Sequence, residues 1–273
     1  MISGDFHMHS TFSSDSKATM ETMIEASIAK GLKTICFTDH YDEDYPKNPA
    51  YGQFATVFDV SEYQQKIQTL QKKYQQQIEV LMGIELGIQS HLGEFYHQLV
   101  AAYSFDFVLG SVHVVEDEDP SFRYLFKGKT DEEVYRSTFL TTIEAVKAVK
   151  DFDSLGHLDY VTRYGGEQEK HYSYRKFADY IDEIFRLLID SGRGIELNTA
   201  GLKYGLPYAH PHMDSLKRYR ELGGEIITIG SDAHRPEHVA YDYHLVEGIL
   251  QEAGFSYYTI FKERKPIFRK VTQ

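Results

Sequence analysis

The chain has 273 residues, 42% hydrophobic and 26% charged, enough for one barrel-sized soluble domain. Its formal net charge of -12 argues against a nucleic-acid backbone as partner, though not against a small phosphate, because bound metals supply local positive charge. A single cysteine, Cys36, excludes an internal disulfide and reads as a small buried hydrophobe in a reducing compartment.

In chain order, strand-type runs cover 2–6, 34–38, 79–83, 105–110, 154–156, 194–197 and 226–229. Amphipathic helices fit 19–30, 61–76, 132–149, 174–191, 212–222 and 243–252. The Gln/Lys-rich stretch 64–77 reads as an exposed helix with Ile67, Leu70 and Tyr74 turned inward. Repeated helix-then-strand order indicates parallel βα units. Seven such strands cannot all be edges, so an α/β barrel of about seven units is expected over an open sheet. No repeat or Pro/Ser-rich linker divides the chain, so residues 1–273 are assigned to one domain. No leader is visible at the start, and no apolar run approaches the ~20 residues of a membrane helix. A cytoplasmic protein with no membrane partner is expected.

The predicted strands end on residues of one chemical kind. His7 and His9 follow the first, His40 the second, Glu85 the third, His113 the fourth and His157 the fifth; Glu196 and Asn198 end the sixth, and Asp232 and His234 follow the seventh. In parallel barrels these ends converge on one mouth. A lone strand-end histidine is ordinarily a hydrogen-bonded structural residue, but here six of the thirteen histidines fall in register with two carboxylates. Imidazole with carboxylate suits zinc, iron or manganese better than magnesium or calcium. So many donors exceed one tetrahedral ion and suggest two or three metals sharing a carboxylate and clamping a phosphoryl group. His91, His97, His171, His210, His212, His238 and His244 read mostly as surface or loop residues.

The motifs HMHS, TDH, GIELG, GSVH, GHLD and GSDAH, in this order, resemble those of the PHP (polymerase and histidinol phosphatase) family, and the chain length resembles its stand-alone histidinol-phosphate phosphatase branch. The segment ELNTAGLKYGLPYAHP is similar to one that follows the sixth strand there. The resemblance implies a distorted seven-stranded (β/α)7 TIM-like barrel with three divalent metals: His7, His9, Glu85 and Asp232 on the first, Glu85 with His113 and His157 on the second, and Asp15, His40 and His234 on the third. Asp15 stands where some relatives carry His; in its polar loop a helix cap is the ordinary alternative. Implied with these is hydrolysis of L-histidinol phosphate, in histidine biosynthesis, by a metal-bridging hydroxide, with His7, His9, Glu85, Asp232 and His234 at the reaction centre.

Arg163 and Asn198 are the candidate substrate contacts, with a surface ion pair and a loop cap as their ordinary alternatives. Asp39 could orient a ligand histidine or bond local backbone. The acidic run 41–45 could attract an amine but reads as a solvated loop. His210-Pro-His212 has metal-motif spacing but reads as a loop leading into a helix. Rival functions are a nuclease or cyclic phosphodiesterase on the same scaffold, an amidohydrolase-like C–N hydrolase, and a non-catalytic metal-binding module.

Overall fold

The computed structural model describes residues 2–48, 55–166 and 172–271, so the expectation for His171 lies outside the described residues. Seven parallel strands form the centre: β1 (Gly4–Asp5), β2 (Thr34–Phe37), β4 (Glu79–Gly87), β5 (Phe107–Ser111), β6 (Ser154–Leu155), β7 (Gly194–Asn198) and β8 (Ile227–Gly230), side by side in that order. β3 (His40–Tyr41) also pairs with β4. It keeps the register that β2 sets, Phe37 opposite Met82 and His40 opposite Glu85, so it continues β2 beyond an interruption at Thr38 and Asp39. The Phe6 amide donates to the Ile229 carbonyl at 2.9 Å and the His9 amide to the Ala233 carbonyl at 2.9 Å. Those bonds bring the first strand against the last and nearly close the expected barrel.

Local chemistry explains the elements. β4 reads EVLMGIELG and is buried at every position after Glu79, as a strand covered on both faces must be. The helices α1 (Met20–Ala29), α2 (Val60–Tyr74), α3 (Gly93–Ala102), α4 (Asp131–Ala148), α5 (Ala178–Asp190), α6 (Ala200–Lys203), α7 (Met213–Glu221) and α8 (Tyr243–Glu252) connect the strands. α2 turns Ile67, Leu70 and Tyr74 inward at helical spacing and leaves its Gln/Lys face to solvent. α4 opens on a reciprocal capping box between Thr130 and Glu133. Cys36 is buried and unpaired in β2.

The elements that were not expected include the short α6, α3 and a C-terminal hairpin. α3 starts without a side-chain cap, so it carries no start signal. The antiparallel hairpin of β9 (Tyr257–Lys262) and β10 (Lys265–Lys270) turns on Glu263 and Arg264, both at positive φ. Glycine or asparagine ordinarily marks such a turn, and here neither is present. Phe261 packs on Phe107 with ring centroids 5.2 Å apart, and Arg264 pairs with Asp153 at 2.9 Å. The hairpin therefore braces the core from β5 and the start of β6.

Candidate metal centre

The C-terminal ends of the strands meet around one carboxylate. Glu85, on β4, is wholly buried. Its Oε2 lies 2.8 Å from His40 Nδ1, 3.2 Å from His7 Nε2 and 3.6 Å from His9 Nε2; its Oε1 lies 3.1 Å from His157 Nε2 and 3.3 Å from His113 Nε2. Asp232 Oδ1 closes the group at 3.4 Å from His9 Nε2 and 3.7 Å from His7 Nε2. Asp15 Oδ2 sits at the outer end, 3.0 Å from His234 Nε2 and 3.7 Å from His40 Nε2. It caps no helix, since Thr19 is the N-cap of α1.

The donor atoms test whether metals fit. Both oxygens of Glu85, His7 Nε2, His9 Nε2, His40 Nδ1, His113 Nε2 and His234 Nε2 are buried and make no hydrogen bond. Leaving so many polar atoms unsatisfied is costly unless a cation satisfies them. Five overlapping groups of donors, each with its atoms all within 4.8 Å of one another, occur among the described residues: His7, His9 and Glu85; His7, His157 and Asp232; Glu85, His113 and His157; His40, Asp42 and His113; and His9, His40 and His234. Imidazole nitrogens and carboxylate oxygens at this density fit divalent transition metals.

The electrostatics agree in sign. Burial by itself would raise the Glu85 carboxyl, but the imidazoles of His7, His40 and His113 hold it well below the usual carboxylate range. Burial lowers His113, yet Asp42 and then Glu85 push it up to about 10. His9 moves the other way, well below its ordinary value, through burial and the neighbouring His234 and His40 rings. The cluster thus pairs strongly anionic carboxylates with imidazoles held in unequal states.

A second layer holds these groups in place. His7 Nδ1 contacts Glu196 Oε1 at 2.6 Å, and His113 Nδ1 contacts Asp42 Oδ1 at 2.7 Å. Asp39 accepts the Ser13 hydroxyl at 2.7 Å and both hydrogen-bonding groups of Ser10, while Ser13 Oγ lies 3.0 Å from His9 Nδ1. Asp39 therefore steadies His9 through Ser13 and also binds local backbone. Asp5 accepts the amides of His7, Ser231 and Ala240 and the Ser231 hydroxyl, tying β1 to the loop after β8. Asp5 and Ser13 were missed; the D-x-H-x-H spacing around β1 was the available signal for Asp5. His157 and Asp232 both adopt positive φ, 54° and 52°, a conformation that is costly for these residues and clusters at functional sites. Gly230 has no room for a side chain: a Cβ there would stand 2.2 Å from Glu196 Oε1 and 2.4 Å from the His7 Cβ.

Several expectations need correction. Asn198 does not reach the mouth. It is buried, its side-chain nitrogen donates to Glu196 Oε2 at 3.0 Å, and its oxygen accepts the Ala200 amide at 2.8 Å. Both ends of the amide are engaged beneath the metal-ligand layer. The run 41–45 is not simply a solvated loop, since Asp42 is buried on His113. Nor is His210 a surface residue: it is buried with Nδ1 2.6 Å from Asp159, while His212 caps α7. His91, His97 and His244 are exposed as expected.

Above the cluster opens a cavity of about 440 Å³. Asp15, His40, His113, His157, Asp232 and His234 line its floor, and Tyr45, Asp119, Phe122, Tyr160, Arg163, Tyr164 and Tyr204 its walls. The Arg163 guanidinium lies 4.6 Å from the Tyr204 ring centre and 5.4 Å from those of Tyr160 and Tyr164. Three aromatic faces hold this cation at the mouth.

Residues 5–200 match the model of the PHP domain. The chain belongs to the PHP family. Among PHP relatives, it is 32% identical to the histidinol-phosphatase of Lactococcus lactis over 96% of this chain and 95% of that one. It is 34% identical to the probable histidinol-phosphatase of Clostridium acetobutylicum over 88% and 89%. The crystal structure of the Lactococcus lactis histidinol phosphate phosphatase, complexed with zinc, L-histidinol and phosphate, superposes with a TM-score of 0.86 at 30% identity, covering 97% of this chain and 98% of that one. The PHP match accounts for β1 to β7; the segment beyond residue 200 supplies Asp232 and His234.

Proposed function

We propose that this chain is a histidinol-phosphatase, hydrolysing L-histidinol phosphate to L-histidinol and phosphate as a step of histidine biosynthesis. The observation that carries the reading is the Glu85 carboxylate, set between five imidazoles at the floor of a cavity that also presents Arg163. A relative of the same fold and length binds zinc, L-histidinol and phosphate.

In this reading His7, His9, Glu85 and Asp232 hold one divalent ion, Glu85, His113 and His157 a second, and Asp15, His40 and His234 a third. Zinc, iron and manganese suit these donors. Bound there, the ions supply Lewis acidity toward the phosphoryl group and activate water at neutral pH. The protein's own contribution is positioning. Glu196, Asp42 and the Asp39–Ser13 pair fix which ring nitrogen faces the ions. Arg163, stacked among tyrosines, offers its planar guanidinium to the phosphoryl oxygens. No helix among the described residues is long and apolar enough to cross a membrane. A cytoplasmic setting is proposed on the single buried thiol.

The deciding experiment is a turnover screen of phosphate esters, histidinol phosphate included, with metal content measured on the same sample. Histidinol phosphate should give the highest kcat/KM in metal-replete protein. Absence of its hydrolysis in protein that carries metal would refute the reading.

A further inference from the structure

Two loops meet at the mouth of the cavity. One follows β6 and runs from the ligand His157 through the short helical turn Tyr160–Tyr164, which carries Arg163. The other follows β7, covers 199–209, and carries α6 and Tyr204. A pair of backbone hydrogen bonds clasps its two ends: the Asn198 amide donates to the His210 carbonyl at 2.7 Å, and the His210 amide to the Asn198 carbonyl at 2.8 Å. At their tips the loops touch, with the Arg163 guanidinium 4.6 Å from the Tyr204 ring centre.

At their bases one carboxylate joins them. Asp159, between His157 and Arg163 in the chain, is wholly buried. Its Oδ1 lies 2.6 Å from His210 Nδ1, and its Oδ2 accepts the His212 amide at 2.8 Å and the Tyr172 hydroxyl at 2.9 Å. Its carbonyl accepts the Thr162 amide at 3.1 Å and the Thr162 hydroxyl at 2.8 Å, next to Arg163. The same residue therefore shapes the turn that presents Arg163 and grips the neighbouring loop. From His210 the contacts run on to the metal ligands. Asn198, clasped to His210, donates its side-chain nitrogen to Glu196 Oε2 at 3.0 Å, and Glu196 Oε1 stands 2.6 Å from His7 Nδ1. Asp159, His210, Asn198, Glu196 and His7 are all buried, and polar contacts between buried groups hold their geometry because leaving one unmade is costly.

We infer that Asp159 is a positioning residue: by binding His210 and the His212 amide it locks the loop after β6 to the loop after β7, and so sets the Arg163 guanidinium over the metal-ligand floor. Asp159 is not among the residues that line the cavity, so it acts through Arg163. The inference rests on the phosphatase reading, in which Arg163 serves the phosphoryl group, and adds which group outside the cavity keeps that arm in register with the ligands. A displacement of about 1 Å in such an arm can cost about a hundredfold in rate.

A double-mutant cycle tests it, with kcat and KM measured on p-nitrophenyl phosphate and on L-histidinol phosphate. Asp159→Asn keeps the side-chain shape and removes the charge that faces His210 Nδ1. It should lower kcat/KM by roughly tenfold to a hundredfold, through the same parameter that Arg163→Met changes, and leave metal content at the wild-type level. In the Arg163→Met background the same substitution should cost less than about threefold, because the arm that Asp159 positions is already gone. Tyr172→Phe takes one hydroxyl from the same carboxylate and should give a smaller loss with the same dependence on Arg163. Unchanged kinetics in Asp159→Asn overturn the inference; so does a loss of equal size with and without Arg163, or one that follows metal content. Where Asp159→Asn does not fold, Tyr172→Phe decides by the same comparison. Coupling on p-nitrophenyl phosphate in an enzyme inert toward histidinol phosphate supports the inference and overturns only the proposed substrate.

Discussion

His7 Nδ1 rests 2.6 Å from Glu196 Oε1, while its Nε2 faces Glu85 at 3.2 Å. One ring thus joins the end of β7 to the centre of the ligand cluster, and its tautomer follows from the carboxylate behind it. Glu196→Gln should weaken metal binding by about 10–100-fold, as losing the hydrogen bond behind a ligand histidine usually does. Competition with a chelator measures it; unchanged affinity would remove Glu196 from the support of His7.

Asp232 Oδ1 and His9 Nε2 meet at 3.4 Å, and the same His9 nitrogen lies 3.6 Å from Glu85 Oε2. Asp232→Ala and His9→Ala should each lower phosphatase turnover by orders of magnitude, because each removes a donor from the metal-holding set. Near-wild-type rates in metal-replete protein would exclude metal catalysis at this cluster.

Arg163 stands at the mouth, stacked between Tyr204 and Tyr160, and not in the ligand layer. Arg163→Met should mainly raise KM, or depress kcat and kcat/KM together if the guanidinium acts on the transition state. Metal content should not change. Steady-state kinetics decide, and unaltered parameters would take Arg163 out of the site.

Far from the cavity, Asp182 on α5 accepts Arg218 from α7 at 2.7 Å and the Tyr174 hydroxyl at 2.7 Å. The Arg218 hydrogen bonds hold the Asp182 carboxyl below its usual value. A lowered carboxylate contributes stability above its unfolded pKa and loses it as pH falls through the folded value. Asp182→Asn should therefore lower Tm by about 2 °C at neutral pH, and the deficit should shrink as pH drops below about 4. Thermal melts across that range test it; a deficit that stays constant in acid would show that the charge is not its source.

Much of this was readable in the residue order because barrel geometry is local in origin. Each strand-helix alternation is written in short-range periodicity, and parallel connectivity then sends every strand's C-terminal end to the same mouth. His7, His9, Glu85, His113, His157 and Asp232 could be named together before any distance was known. Asn198 could not be placed that way. It ends β7 beside Glu196, and nothing in ELN says that its amide turns inward to bond Glu196 and the Ala200 amide. The hairpin of β9 and β10 was hidden by a turn built from Glu263 and Arg264 at positive φ, without the glycine that usually marks one.

By itself the sequence determined the fold class and the ordered set of metal-type residues, since both depend on spacing along the chain. Only the tertiary structure decided what stands behind each imidazole. Glu196 reaches His7 across 189 positions, and Asp42 reaches His113 across 71. Such pairings exist only once the strands lie side by side and the sheet curves nearly closed. The same holds for the cavity wall, where Tyr45 and Asp119 come together from loops after different strands. Hydrogen bonds between distant residues are fixed by packing, and packing is settled by the whole chain at once.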